Sequence, residues 1–180
     1  MPDDVRQPLP LPTLRVVGAS GSGKTTLIAA LIRELSARGY RVAALKHAAA
    51  HEAPPDCEGK DTQRFAAAGA AAVVGAFRDE VVVRLPASPD LPTLAALVAP
   101  VADLLLVEGF HDEPIDAILV EGEGAAAREV GAGRVIAVVA TSERSPPATA
   151  SGAPPRYGAG DIAALAAAIE HRCGLSSARS

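Results

Sequence analysis

Short apolar runs, separated by glycines, prolines and charges, set the rhythm of this 180-residue chain. Leu14-Arg15-Val16-Val17 reads as a short strand. From Lys24 to Arg38 the apolar positions Leu27, Ile28, Leu31, Ile32 and Leu35 fall on one helical face, and Gly39 stands where a helix-ending glycine belongs. Arg41 to Lys46 predicts a second strand, completing a βαβ unit. Asp61 to Ala68 predicts a short helix ended by Gly69. Ala71 to Phe77 and Val81 to Leu85 flank Arg78-Asp79-Glu80 and predict an antiparallel hairpin. Asp90 to Val98 predicts a helix with Asp90 near its N-cap. Leu104 to Val107, four large apolar residues between Asp103 and Glu108, have the pattern of a buried parallel strand. Ala117–Val120 and Val135–Ala140 predict two more strands, and Asp161–His171 a final helix capped by Asp161. Residues 122–133 and 142–160 read as irregular connections. No internal repeat is present.

Composition narrows the class. Hydrophobic residues make up 49% of the chain and aromatics only 3%, with no Trp. The core is therefore built from Ala, Val, Leu and Ile in a globular chain. A net charge of -4 with scattered Lys and Arg argues against nucleic-acid binding. Cys57 and Cys173 are too few for a disulfide framework, which fits a reducing, cytoplasmic setting. The N-terminus lacks a basic region followed by a long apolar run, so no signal peptide is expected. The most apolar stretch, Phe65 to Phe77, is too short for a membrane span. The expected organisation is a flexible leader (1–12), a single domain (13–171) and a flexible tail (172–180).

The chemistry enters between the first strand and helix. Gly18-Ala19-Ser20-Gly21-Ser22-Gly23-Lys24-Thr25 fits G-x-x-x-x-G-K-[ST], the phosphate-binding loop, in its required strand–loop–helix context. Small residues let backbone N–H groups close around phosphate oxygens, and the helix N-terminus adds partial positive charge. Lys24 is expected to reach the β- and γ-phosphates, Thr25 to ligate Mg²⁺, and Thr26 to continue the loop into the helix. The fold class that follows is α/β: a three-layer P-loop nucleotide-binding fold, mostly parallel, with an antiparallel hairpin excursion.

Such a loop needs a second acid to support the metal. Asp103 and Glu108 are candidates, about 16 Å apart at strand rise. Ligands in open α/β sheets sit at the carboxyl ends of strands, which selects Glu108. Lys46 and His47 follow another strand end. Lys60 and Asp61 stand at an expected helix start, where Asp61 also fits a plain helix cap.

Taken in order, the loop with Thr26-Leu27, Lys46-His47, Gly59-Lys60-Asp61-Thr62, Ala68-Gly69-Ala70, Leu104 to Phe110 and Val135-Ile136-Ala137-Val138 resemble the bacterial molybdopterin-guanine dinucleotide biosynthesis adaptor family, MobB. The resemblance spans most of the chain from Val16 onward. It implies GTP as ligand, weak GTPase activity, a homodimer, and a supporting role beside the guanylyltransferase that attaches GMP to molybdopterin. With that pattern, Lys46, His47, Lys60 and Asp61 would contact the nucleotide or a second anionic ligand such as a molybdopterin phosphate, or else form a solvated loop with a helix cap at Asp61. No Asn-Lys-x-Asp guanine motif is present. Thr141-Ser142-Glu143 follows the strand at the corresponding place, where Glu143 would accept from the guanine N1 and N2 groups or simply end the strand.

No residue stands out to orient water or to serve as an arginine finger, so slow turnover at most is expected. Two other readings stay open. His47, His51, Asp56, Cys57 and Glu58 would suit a nickel metallochaperone GTPase, although no paired-Cys motif or His-rich tract accompanies them. A small-molecule P-loop kinase would need an Arg-rich lid, which the region after Val107 does not show.

Overall fold

The structure is a computed structural model that describes residues 8–47, 61–85, 89–121, 133–140 and 152–176. They fall into two compact units, one of residues 1–47 with 95–180 and one of residues 48–94.

The larger unit is organised by a six-stranded sheet in the order β2-β5-β1-β6-β7-β8. Its strands are β1 (Thr13–Val17), β2 (Val42–Lys46), β5 (Leu104–Glu108), β6 (Ala117–Glu121), β7 (Val135–Ala140) and β8 (Arg156–Gly158). Every pairing is parallel. Alternate residues of the strands build one apolar layer: Leu14 and Val16, Leu104 and Leu106, Ile118 and Val120 pack with Leu31 and Leu35 of α1 (Lys24–Ala37) and Leu165 and Ile169 of α4 (Ile162–Cys173). Leu105 and Val107 point to the other face and are also fully buried, so the central strand is apolar on both sides, as its sequence predicts.

The helix α1 stops as its sequence predicts. Gly39 has φ +91°, and the Tyr40 N–H donates to the Leu35 carbonyl at 3.1 Å. This left-handed C-terminal motif needs a residue without a Cβ. At the other end of the sheet the Asp103 carboxylate accepts from the Arg41 N–H at 2.8 Å and from its guanidinium at 2.7 Å. Asp103 thus belongs to the strand entrance, on the amino side.

The smaller unit contains α2 (Asp61–Ala67) and the antiparallel pair β3 (Val73–Ala76) and β4 (Val81–Arg84). The division between the units falls at Leu94/Ala95, within helix α3 (Leu91–Val98), and Asp90 caps that helix by accepting from the Thr93 N–H at 2.9 Å. Val74, Val81, Val82 and Val83 are exposed on the hairpin. None of the described helices is long and apolar enough to cross a membrane.

Two expectations differ from the structure. Arg156–Gly158 forms an edge strand on β7 inside the stretch read as irregular, because three residues between prolines and glycines carry no periodicity. Asp161 precedes α4 but makes no side-chain cap to it. Its carboxylate accepts instead from the Gly158 N–H at 2.8 Å, closing the turn after β8.

Candidate functional site

β1 lies between β5 and β6, the point from which the chain winds outward in both directions. Such a switch point opens a crevice at the carboxyl ends of the strands. The loop from Gly18 to Gly23 leaves β1 here. Its glycines carry the conformations that the bend requires: φ is +148° at Gly18, +75° at Gly21 and +94° at Gly23. A Cβ on Gly18 would stand 2.4 Å from the Val120 carbonyl oxygen, so only glycine lets the loop lie this close to β6. Gly23 is the N-cap of α1, gives it no side-chain cap, and no acidic residue occupies the first turn. The helix start therefore keeps its partial positive charge.

Lys24 folds back over the loop. Its Nζ donates to the carbonyls of Gly18 at 2.8 Å and Ala19 at 2.6 Å. The Ser22 hydroxyl is buried and has no hydrogen-bond partner among the described residues. A buried hydroxyl in that state is a place where a polar ligand atom would be favourable.

Glu108 lies beside Thr25. The Thr25 hydroxyl donates to Glu108 Oε2 at 3.0 Å, across 83 residues of sequence. Register explains the meeting: Glu108 pairs with Val16 of β1 on one side and Lys46 of β2 on the other. The His47 N–H then donates to the Glu108 carbonyl at 2.8 Å. The His47 and Phe110 rings lie 4.6 Å apart, tilted by 38°. Thr25, Glu108, Lys46 and His47 thus share one side of the loop. A hydroxyl beside a carboxylate is an oxygen donor set suited to a hard divalent cation.

On the other side lies a cleft of about 540 Å³. Ser20 of the loop and Thr26 in the first turn of α1 wall it on one side. Val120 and Val139, near the carboxyl ends of β6 and β7, and Ala159 and Ile162 wall it on the other. Nothing in the sequence marked these four, since their types are those of ordinary core residues.

The remaining candidates divide. Lys60 and Glu143 lie outside the described residues, as do His51, Asp56, Cys57 and Glu58. Asp61 begins α2 in the smaller unit. No group of three or more His, Cys, Asp or Glu side chains comes together for a metal among the described residues. Gly109, Phe110 and Arg15 were given no role by the sequence, although an arginine inside an apolar strand was a signal.

A family model described as molybdopterin guanine dinucleotide synthesis protein B, MobB, matches residues 13–141. The chain belongs to the MobB family. The match runs from the first residue of β1 to the residue after β7, and so covers the loop and Glu108 alike. The chain is 44% identical over 113 residues to the molybdopterin-guanine dinucleotide biosynthesis adapter protein of Haemophilus influenzae, covering 61% of this chain and 63% of that one. It is 37% identical over 123 residues to the Escherichia coli protein of the same name, covering 66% of this chain and 70% of that one. The crystal structure of Bacillus subtilis MobB is similar with a TM-score of 0.66 at 25% identity, covering 89% of this chain and 97% of that one. MobB proteins thus share the P-loop-like α/β fold described above.

Proposed function

We propose that the chain is a cytoplasmic, GTP-binding adapter in molybdopterin guanine dinucleotide biosynthesis, holding GTP with Mg²⁺ and assisting the guanylyltransferase. The observation that carries the nucleotide reading is the Thr25–Glu108 contact at the mouth of the loop. The adapter role is the one named for the relatives. GTP fits the donors present: an open helix start, the lone Ser22 hydroxyl and a displaceable lysine for phosphate, with a cleft beside the loop for the nucleoside. Mg²⁺ bound to the phosphates would neutralise their charge. Thr25 would hold it directly and Glu108 directly or through water. Lys24 would exchange the Gly18 and Ala19 carbonyls for phosphate oxygens, and the loop N–H groups would orient them. Hydrolysis is slow in this reading, because rapid turnover needs an added charge such as an arginine finger.

Glu108→Gln keeps size and removes the charge. It is expected to lower the gain in GTP affinity on adding Mg²⁺ by roughly tenfold, as titration calorimetry with and without the metal would read. An unchanged gain would sink the assignment. Recovery of the guanylyltransferase on the immobilised chain with GTP and Mg²⁺ tests the adapter role.

The adapter also works as a homodimer in this reading. A two-stranded ribbon is marginal alone, and β3–β4 exposes 62% of Val74 and 65% of Val81. A second copy would cover them. Val81→Asp is expected to convert the dimer to a monomer in light scattering; an unchanged dimer mass would locate the interface elsewhere.

A further inference from the structure

Arg15 is fully buried in β1, an apolar strand, with neighbours Leu14, Val16 and Val17 also buried. Its Nη1 carries two hydrogens and donates to two carbonyls, Phe110 at 3.0 Å and His111 at 2.8 Å. Space is kept for the guanidinium. A Cβ on Gly133 would come within 2.6 Å of Arg15 Nη2 and 1.8 Å of the Ile115 carbonyl oxygen. Burial lowers the proton affinity of Arg15, and the charges of Glu113 and Asp112 act against that shift. A guanidinium remains charged under such conditions where a lysine readily loses its proton.

The two carbonyls belong to the turn that directly follows Glu108, and this turn is strained. Gly109 has φ +110°. Phe110 has φ +53° and is the one non-glycine residue with positive φ among the described residues. A bulky side chain is rare there and persists only where its surroundings over-determine it. The strained turn is what brings the chain onto His47. A Cβ on Gly109 would lie 2.8 Å from His47 Cβ, and the Phe110 ring stacks against the imidazole. His47 in turn donates its backbone N–H to Glu108.

We infer that Arg15 is a positioning residue: it pins the Gly109–His111 turn and so holds Glu108 and the His47–Phe110 pair at the mouth of the loop. This rests on the reading of Glu108 as magnesium support. The connection is short, since Glu108, Gly109 and Phe110 are consecutive, and it acts on backbone. A side chain with no donor at position 15 takes the Arg15 bond from the His111 carbonyl and leaves the Phe110 carbonyl with the Glu113 N–H at 3.1 Å, and the turn loses two bonds that offset its strain.

The test uses the full chain and GTP, titrated with Mg²⁺ and with EDTA. Arg15→Met keeps an unbranched, flexible side chain and removes every donor. It is expected to reduce the magnesium-dependent gain in affinity at least fivefold, with the affinity in EDTA held within twofold. The His47 ring signals in ¹H–¹³C NMR are expected to move as the Phe110 ring current is lost. In a Phe110→Gly background, where a positive φ is no longer strained, the same Arg15→Met change is expected to reduce the gain less than twofold. A merely structural Arg15 would lower the melting temperature and leave the magnesium gain and the His47 signals where they were, which overturns the inference. Should Arg15→Met fail to fold, Arg15→Lys, which keeps a donor, is read by the same criterion with a smaller expected loss. Wild-type chain that binds GTP equally with and without Mg²⁺ overturns the reading of Glu108 and this inference together. A normal wild-type gain left unchanged in Arg15→Met overturns the Arg15 inference alone.

Discussion

Gly18→Ala is expected to destabilise the fold by about 3 kcal/mol and to abolish GTP binding. Two effects add. At φ +148° any side chain is strained, and the new Cβ would sit 2.4 Å from the Val120 carbonyl oxygen and 2.9 Å from the Ser22 hydroxyl. Ser22 can rotate, whereas the Val120 carbonyl is fixed in the sheet, so β1 and β6 must part. Strain and overpacking each cost on the order of 1–3 kcal/mol. For a chain of this size that corresponds to a melting temperature lower by roughly 6–12 °C. Gly21→Ala is the control. Its φ of +75° brings strain, yet its Cβ would meet nothing within 4 Å, so a loss of about 1 kcal/mol is expected. Calorimetric melting of the two variants decides the matter: equal losses would show that the approach to Val120 is not what makes Gly18 necessary.

Lys24→Ala is expected to weaken GTP binding by about a hundredfold while leaving the fold intact. Each hydrogen bond to a charged group contributes about 1.5–3 kcal/mol, and each 1.4 kcal/mol is a factor of ten. In the structure Lys24 donates to two carbonyls. GTP must displace them, which holds the loss below the full value of two new bonds. Lys24→Arg is not expected to restore affinity, since a planar fork cannot replace a compact ammonium at the same place. Titration calorimetry with GTP and Mg²⁺ reads both variants. Affinity for Lys24→Ala within threefold of wild type would remove the loop from the nucleotide site.

Periodicity made the regular elements legible. Val135–Ala140 is a strand with both ends where the sequence puts them, and the apolar face of α1 is the face that is buried. Glu108 was legible for a different reason: the sequence places it at a strand end, where parallel register sets it beside Val16 and its carboxylate accepts from Thr25. Asp103 was excluded by the same rule, and it closes on Arg41 at the opposite end. What stayed hidden depends on partners far away in sequence. β8 has three residues and gains its identity only from pairing with β7. Arg15 looked like one polar position in a strand, because the carbonyls that satisfy it lie 95 and 96 residues on. The cleft walls at Val120, Val139 and Ile162 are made of types that any core uses.

The place of β5 between β1 and β2 has a consequence for how the protein is made. Translation delivers β1, α1 and β2 first, but these two strands are not neighbours. The strand that joins them ends at Glu108, after the whole 48–94 unit has been synthesised. Until then the inner edges of β1 and β2 have no partner, and unpaired edges invite pairing with other chains. Long-range parallel pairing is also slow, because loop closure precedes its reward. The sheet therefore cannot assemble in the order in which the ribosome supplies it. The last strand needed to join its first two is the one that carries Glu108, so the presence of that acid beside Thr25 reports that this part of the sheet has closed.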